Sequence, residues 1–189
     1  MCKGIVKSCF FAFLMLTALS FFSCEMSEAR DYREKGFTAV VTWESDGGIF
    51  EARARVSEAN NEGERQVIME LTSPETVRGF LYGYTYGGDA FCQYRDMTLK
   101  AGDTSQVIDI CRMLAPVGKM ELICKSESEG RDLIYASVKE PSGEICHIYL
   151  DSGTYFPTEI HKGELKIRIS DFLAYERETD ENTFGNIDP

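Results

Sequence analysis

The chain has 189 residues, 43% of them hydrophobic, and carries 31 Asp and Glu against 20 Lys and Arg, a formal net charge of −11. An acidic surface of this size repels DNA, RNA and anionic lipid headgroups, which excludes nucleic-acid binding and electrostatic membrane attachment. The length suits one domain with a sizeable core.

The first element is an export signal over residues 1–23. Lys3 and Lys7 are the only charges before Cys24, and Ser8 to Ser23 is an unbroken run of apolar or small residues. That run is short for a bilayer-spanning helix and has the layout of a secretory signal. It ends at Ser23-Cys24, as a bacterial lipoprotein signal ends, although Phe21 and Phe22 stand where Leu and a small residue are usual. Cys24 is the expected lipidation site. The protein is then exported and held on the extracytoplasmic face of a cell membrane by its acyl chains. Removing the signal leaves 18 Lys and Arg against 31 Asp and Glu, a net charge of −13, so the anchor and not a basic patch supplies the membrane link. Residues 24–35 read as the lipidated cysteine and a charged tether or short, weak helix.

Residues 36–177 alternate with the period of half-buried strands. Ala39, Val41 and Trp43 alternate with Thr38, Val40 and Thr42, and Phe50–Val56 places apolar residues on one face and charges on the other. Val67, Met69 and Leu71 follow, then Phe80, Tyr82, Tyr84 and Tyr86 as an aromatic row. Ile134, Ala136 and Val138 share a face, as do Ile145, His147 and Tyr149, and then Leu165, Ile167 and Ile169. Hairpin signals at Asp46-Gly47-Gly48 and Gly87-Gly88-Asp89 join strands. Asn60-Asn61-Glu62-Gly63, Pro141-Ser142-Gly143, Asp151-Ser152-Gly153 and Lys162-Gly163 supply further turns. One stretch, Ser105 to Ala115, has helical spacing instead, with Val107, Ile110, Cys111 and Leu114 on one stripe. Asp103 and Gln106 resemble a capping box, and Pro116 stops the helix. The fold class is mostly β with one main helix. A long antiparallel meander must protect its edges, and an amphipathic helix has its natural place across the concave face of a curved sheet. Residues 178–189 read as an acidic mobile tail.

This strand order, the helix after Asp103 and the segment Ser73-Pro74-Glu75-Thr76-Val77-Arg78-Gly79-Phe80 together resemble the LolA/LolB-like outer-membrane lipoprotein carrier superfamily. The resemblance implies a curved, half-open antiparallel β-barrel closed by an amphipathic helix over an apolar cavity. The soluble carrier of that family is not lipidated, so Cys24 departs from it and points to an anchored relative. Germination lipoproteins of the GerS type are similar in design and bind a cell-wall amidase, which implies a protein-docking role as one possibility.

The residues of catalysis are sparse. His147 and His161 are the only histidines and lie in no metal-binding spacing, so neither a metal nor a cofactor is expected. His147 reads as a packed, hydrogen-bonded strand residue. There is no Gly-x-Ser-x-Gly elbow and no phosphate-cradling loop. Glu62/Glu64 and Glu127/Glu129 read as solvated charge in polar connections. Cys92, Cys111, Cys124 and Cys146 have no CxxC spacing. Export permits three disulfide pairings among them, while their apolar surroundings favour buried free thiols. No enzyme is expected.

The candidate binding surface is Phe80, Tyr82, Tyr84, Tyr86, Phe91 and Tyr94, with Ile110 and Leu114 from the helix. Aromatic residues on a concave sheet suit an acyl chain, a protein partner or ordinary packing. Two functions follow. One is an anchored envelope lipoprotein that docks or regulates a protein partner such as a cell-wall hydrolase. The other is a carrier or acceptor of lipid or lipoprotein that holds acyl chains in the cavity.

Overall fold

The computed structural model describes residues 31–45, 47–60, 64–86, 90–101, 105–128 and 130–175. The signal, Cys24, Asp103, Glu62, Glu129, the Gly87-Gly88-Asp89 turn and the acidic tail lie outside the described residues.

Strands form at the alternating segments read from the sequence, and also at Met97–Lys100, Met120–Ser128 and Pro157–Lys162. In chain order they are β1 (Gly36–Ser45), β2 (Gly48–Val56), β3 (Gln66–Ser73), β4 (Leu81–Thr85), β5 (Ala90–Tyr94) and β6 (Met97–Lys100). The helix α1 (Gln106–Leu114) separates these from β7 (Met120–Ser128), β8 (Arg131–Lys139), β9 (Ile145–Asp151), β10 (Pro157–Lys162) and β11 (Leu165–Tyr175). All eleven strands form one antiparallel sheet in the order β6-β5-β4-β3-β2-β1-β11-β10-β9-β8-β7. The two ends of the meander meet at its centre, where β1 pairs with β11. Among the described residues β6 and β7 are the two edges and do not pair with each other, so the sheet is not closed.

Register shifts interrupt the β1/β11, β2/β3, β7/β8 and β9/β10 ladders. Such bulges strengthen local twist and bend the strand that carries them. The helix shows where the bending leads. α1 has nine residues and packs against β3, β4 and β10. Its length is about 13.5 Å, whereas a flat sheet would set β4 and β10 roughly 24 Å apart at the usual strand spacing. The sheet therefore curls around the helix.

One contiguous core fills the space between them. Ile108, Ile110, Cys111, Met113 and Leu114 of α1 have no exposed surface, nor do Phe37, Val41, Val67, Met69, Ile148, Ile160 and Ile167 of the sheet. The buried helix face is thus wider than the stripe read from the sequence, because sheet encloses it from both sides. Ser105 is the N-cap but its side chain makes no capping hydrogen bond.

Three expectations change. In β9 the buried residues are Cys146, Ile148 and Leu150, while Ile145 is exposed and His147 and Tyr149 are half-buried on the other face. Both parities of this strand are apolar, so alternation alone cannot choose the face. His147 is packed and hydrogen-bonded as expected, but on that other face, with Tyr135 as its partner and stacked ring. Second, the four described cysteines are free, but Cys124 is exposed and Cys92 half-buried; of the four, only Cys111 and Cys146 are buried. Cys124 follows the β7 bulge near an unpaired edge, where nothing covers it. Third, Asp31–Lys35 belongs to the folded body. Tyr32–Glu34 form a 3-10 turn in which Tyr32 is buried edge-on against Phe37 and Phe172.

The chain leaves α1 through Pro116 and returns along the backbone of β8. Gly118 makes this possible: its φ is +137°, and a Cβ there would stand 2.4 Å from the Lys139 carbonyl oxygen. Gly118→Ala combines backbone strain with a clash against hydrogen-bonded backbone. We expect it to lower unfolding free energy by about 2 kcal/mol or more, measured as a lower urea midpoint with unchanged slope.

Candidate functional site

The inner face of β3–β6 carries the aromatic row. Register places Met69 opposite Tyr82, Tyr82 opposite Cys92, and Cys92 opposite Leu99. One lane of side chains therefore runs from the core to the open edge. Tyr94 pairs with Met97 in the next lane, and Phe80, just before β4, stacks on Tyr94 at 4.4 Å between ring centroids. Burial falls steadily along these lanes. Met69 has no exposed surface, Tyr82 and Cys92 are half-buried, and Leu99 and Met97 are 67% and 64% exposed. Helix cover ends before the edge does, so the outer part of the lanes is an apolar surface open to solvent.

The turn that builds this surface is Ser73–Phe80. A 3-10 turn over Glu75–Val77 follows β3, and Gly79, at φ +84°, redirects the chain. Gly79 N–H donates to the Leu71 carbonyl, and Leu71 N–H donates to the Phe80 carbonyl. These bonds bring Phe80 back over the row.

Not every candidate residue joins the surface. Phe91 pairs with Gly83, between Tyr82 and Tyr84, and so lies on the opposite face. Its ring occupies the space a Gly83 side chain would need, with a built Cβ only 2.1 Å away. Tyr84 is buried, with the Arg112 guanidinium 5.4 Å above its ring. Tyr86 is 37% exposed beyond the end of β4. Ile110 and Leu114 are wholly buried under the sheet and offer a ligand no surface. Met97 and Leu99, which sequence reasoning missed, are the most accessible apolar residues of the lanes. Their strand is four residues long and exposed throughout, too short for alternation to stand out.

Two groups facing the lanes are held in their neutral forms. Burial and a hydrogen bond with Cys92 push the Tyr82 hydroxyl up to about 12. Burial likewise pushes the Cys111 thiol, 3.5 Å from Met69 Sδ, up to about 12. Both stay protonated at neutral pH. Among the described residues, no three His, Cys, Asp or Glu side chains converge as metal ligands. Neither is any described helix long and apolar enough to cross a membrane.

No family model matches the chain, and no curated protein does. Its fold is similar to solved structures of LolA-superfamily proteins and MucB. An uncharacterized conserved protein from Thermus thermophilus matches at 10% identity with a TM-score of 0.49, covering 78% of this chain and 83% of that one. A LolA superfamily protein from Nitrosomonas europaea matches at 9% identity and a TM-score of 0.44, covering 80% and 90%. MucB matches at 14% identity and a TM-score of 0.46, covering 84% of this chain; the chain spans only 60% of MucB.

Proposed function

We propose that this chain is a non-enzymatic, exported lipoprotein, anchored through Cys24, whose half-open barrel docks a protein partner in the cell envelope. The observation that carries this reading is the apolar inner face of β5 and β6, exposed at Met97 and Leu99 beside an interior that α1 already fills. Open apolar surface rimmed by polar residues marks an interaction site, and an unpaired edge strand adds main-chain donors and acceptors to it. The partner class implied by the family resemblance is a cell-wall hydrolase.

The test is affinity capture of the tagged full-length chain from native membranes in mild detergent, with proteins and lipids identified together. We expect one stoichiometric envelope protein. The double variant Met97→Glu, Leu99→Glu should retain the parent's thermal midpoint, since both residues are exposed, and recover at least tenfold less partner. Stoichiometric acyl lipid or a spread of lipoproteins on the parent chain, with no single partner, would favour the carrier function instead.

A further inference from the structure

A second feature lies away from the apolar lanes, where α1 ends. Asp31, Arg33, Glu34, Arg65, Tyr86 and Ala115–Gly118 line an open cavity of about 230 Å³. Arg33 is spent on structure. Its Nε and Nη2 donate to the Asp31 carboxylate, and its Nη1 donates to the Pro116 carbonyl at 2.7 Å and the Gly118 carbonyl at 3.1 Å. Asp31 is fully engaged in return, accepting also from Arg33 N–H.

Arg65 is in the opposite condition. Its Nη1 is buried and has no hydrogen-bond partner among the described residues. Buried guanidinium donors are almost always paired, because an unmet charged donor is costly to desolvate. Burial and the neighbouring Arg33 charge disfavour the cation here, more than the nearby Asp31 and Glu58 carboxylates favour it. A side chain left so in a cavity is a donor awaiting an acceptor.

We propose that this cavity is a carboxylate site, filled in the docked state by an Asp or Glu side chain of the protein partner. This rests on the docking reading above. The planar fork of Arg65 matches a carboxylate edge. Asp31 and Glu34 also line the cavity, and their charge opposes a dianion such as phosphate more than a monoanion. The chain's net charge of −11 gives an acidic partner no long-range attraction. Recognition must come from a short-range, desolvated contact of this kind.

The test uses the full-length chain in mild detergent, labelled with ¹⁵N at arginine, and sodium acetate as probe against sodium chloride at equal ionic strength. We expect a saturable shift of the Arg65 Nε–Hε resonance with acetate only. Arg65→Met, which keeps the packed stem, should weaken acetate binding and partner capture at least tenfold. It should unfold no earlier than the parent, because burial and Arg33 disfavour the Arg65 charge more than Asp31 and Glu58 favour it. A non-saturable shift, an equal shift with chloride, or undiminished capture by Arg65→Met overturns the proposal. If the parent captures no partner, the docking reading fails by itself, and the acetate titration alone decides whether the cavity takes a carboxylate.

Discussion

Leu114→Ala is expected to lower the unfolding free energy by about 3–4 kcal/mol, a large share of the ~5–15 kcal/mol that a domain possesses. Leu114 has no exposed surface and ends the helix that packs on β3, β4 and β10. Truncation removes buried methyl groups and leaves a void. The void cannot readily collapse, because sheet strands hydrogen-bonded to both neighbours line it from two sides. Val107→Ala, at a half-buried position on the same helix, should cost about 1 kcal/mol. Urea unfolding checks both, read as a shift in midpoint with constant slope. The result also bears on function. A loss below about 1 kcal/mol at Leu114 would mean that the space under the helix is loosely packed. An acyl-chain cavity would then become the better reading.

What the sequence made legible follows from how each strand meets its surroundings. The middle of β2 and the first half of β11 carry apolar residues on one parity and charged or polar residues on the other, so period two identified both strand and buried face. β9 did not yield its face, because Ile145, His147 and Tyr149 compete with Cys146, Ile148 and Leu150. The outer set is stabilised differently: Tyr135, His147, Tyr149 and His161 form a continuous row of ring contacts across β8, β9 and β10. Such cross-strand stacking depends on register, which no single strand reveals. The candidate surface was half legible for the same reason. Tyr82 and Tyr94 share a lane with the missed Leu99 or Met97, while Phe91 fell on the other face through its pairing with Gly83. Arg65 had no signal at all. Its cavity exists only because the Tyr32 turn, the end of α1 and the start of β3 converge from distant parts of the chain.

Arg33→Ala is expected to be as disruptive as the loss of Leu114, by about 3–5 kcal/mol at neutral pH. The side chain is only 11% exposed and joins three things at once: Asp31, the Pro116 carbonyl and the Gly118 carbonyl. Its removal leaves a half-buried carboxylate with only the Arg65 charge nearby and no side chain hydrogen-bonded to it, and two carbonyls without their donor. Arg33→Lys should recover only part of this, since a point charge cannot reproduce the fork. The pH dependence supplies the mechanism. Burial alone would raise the Asp31 pKa, but the hydrogen bonds and charge of Arg33 outweigh it and hold the carboxyl below its ordinary 3.8. A depressed carboxylate contributes stability above its unfolded pKa and loses it as pH falls through the folded value. The penalty of Arg33→Ala should therefore be largest at neutral pH and shrink toward roughly pH 3, where Asp31 can be protonated. Urea titrations at the two pH values measure the difference. A penalty independent of pH would assign the effect to the carbonyl contacts and to the packing of Tyr32 between Phe37 and Phe172, and not to the ion pair.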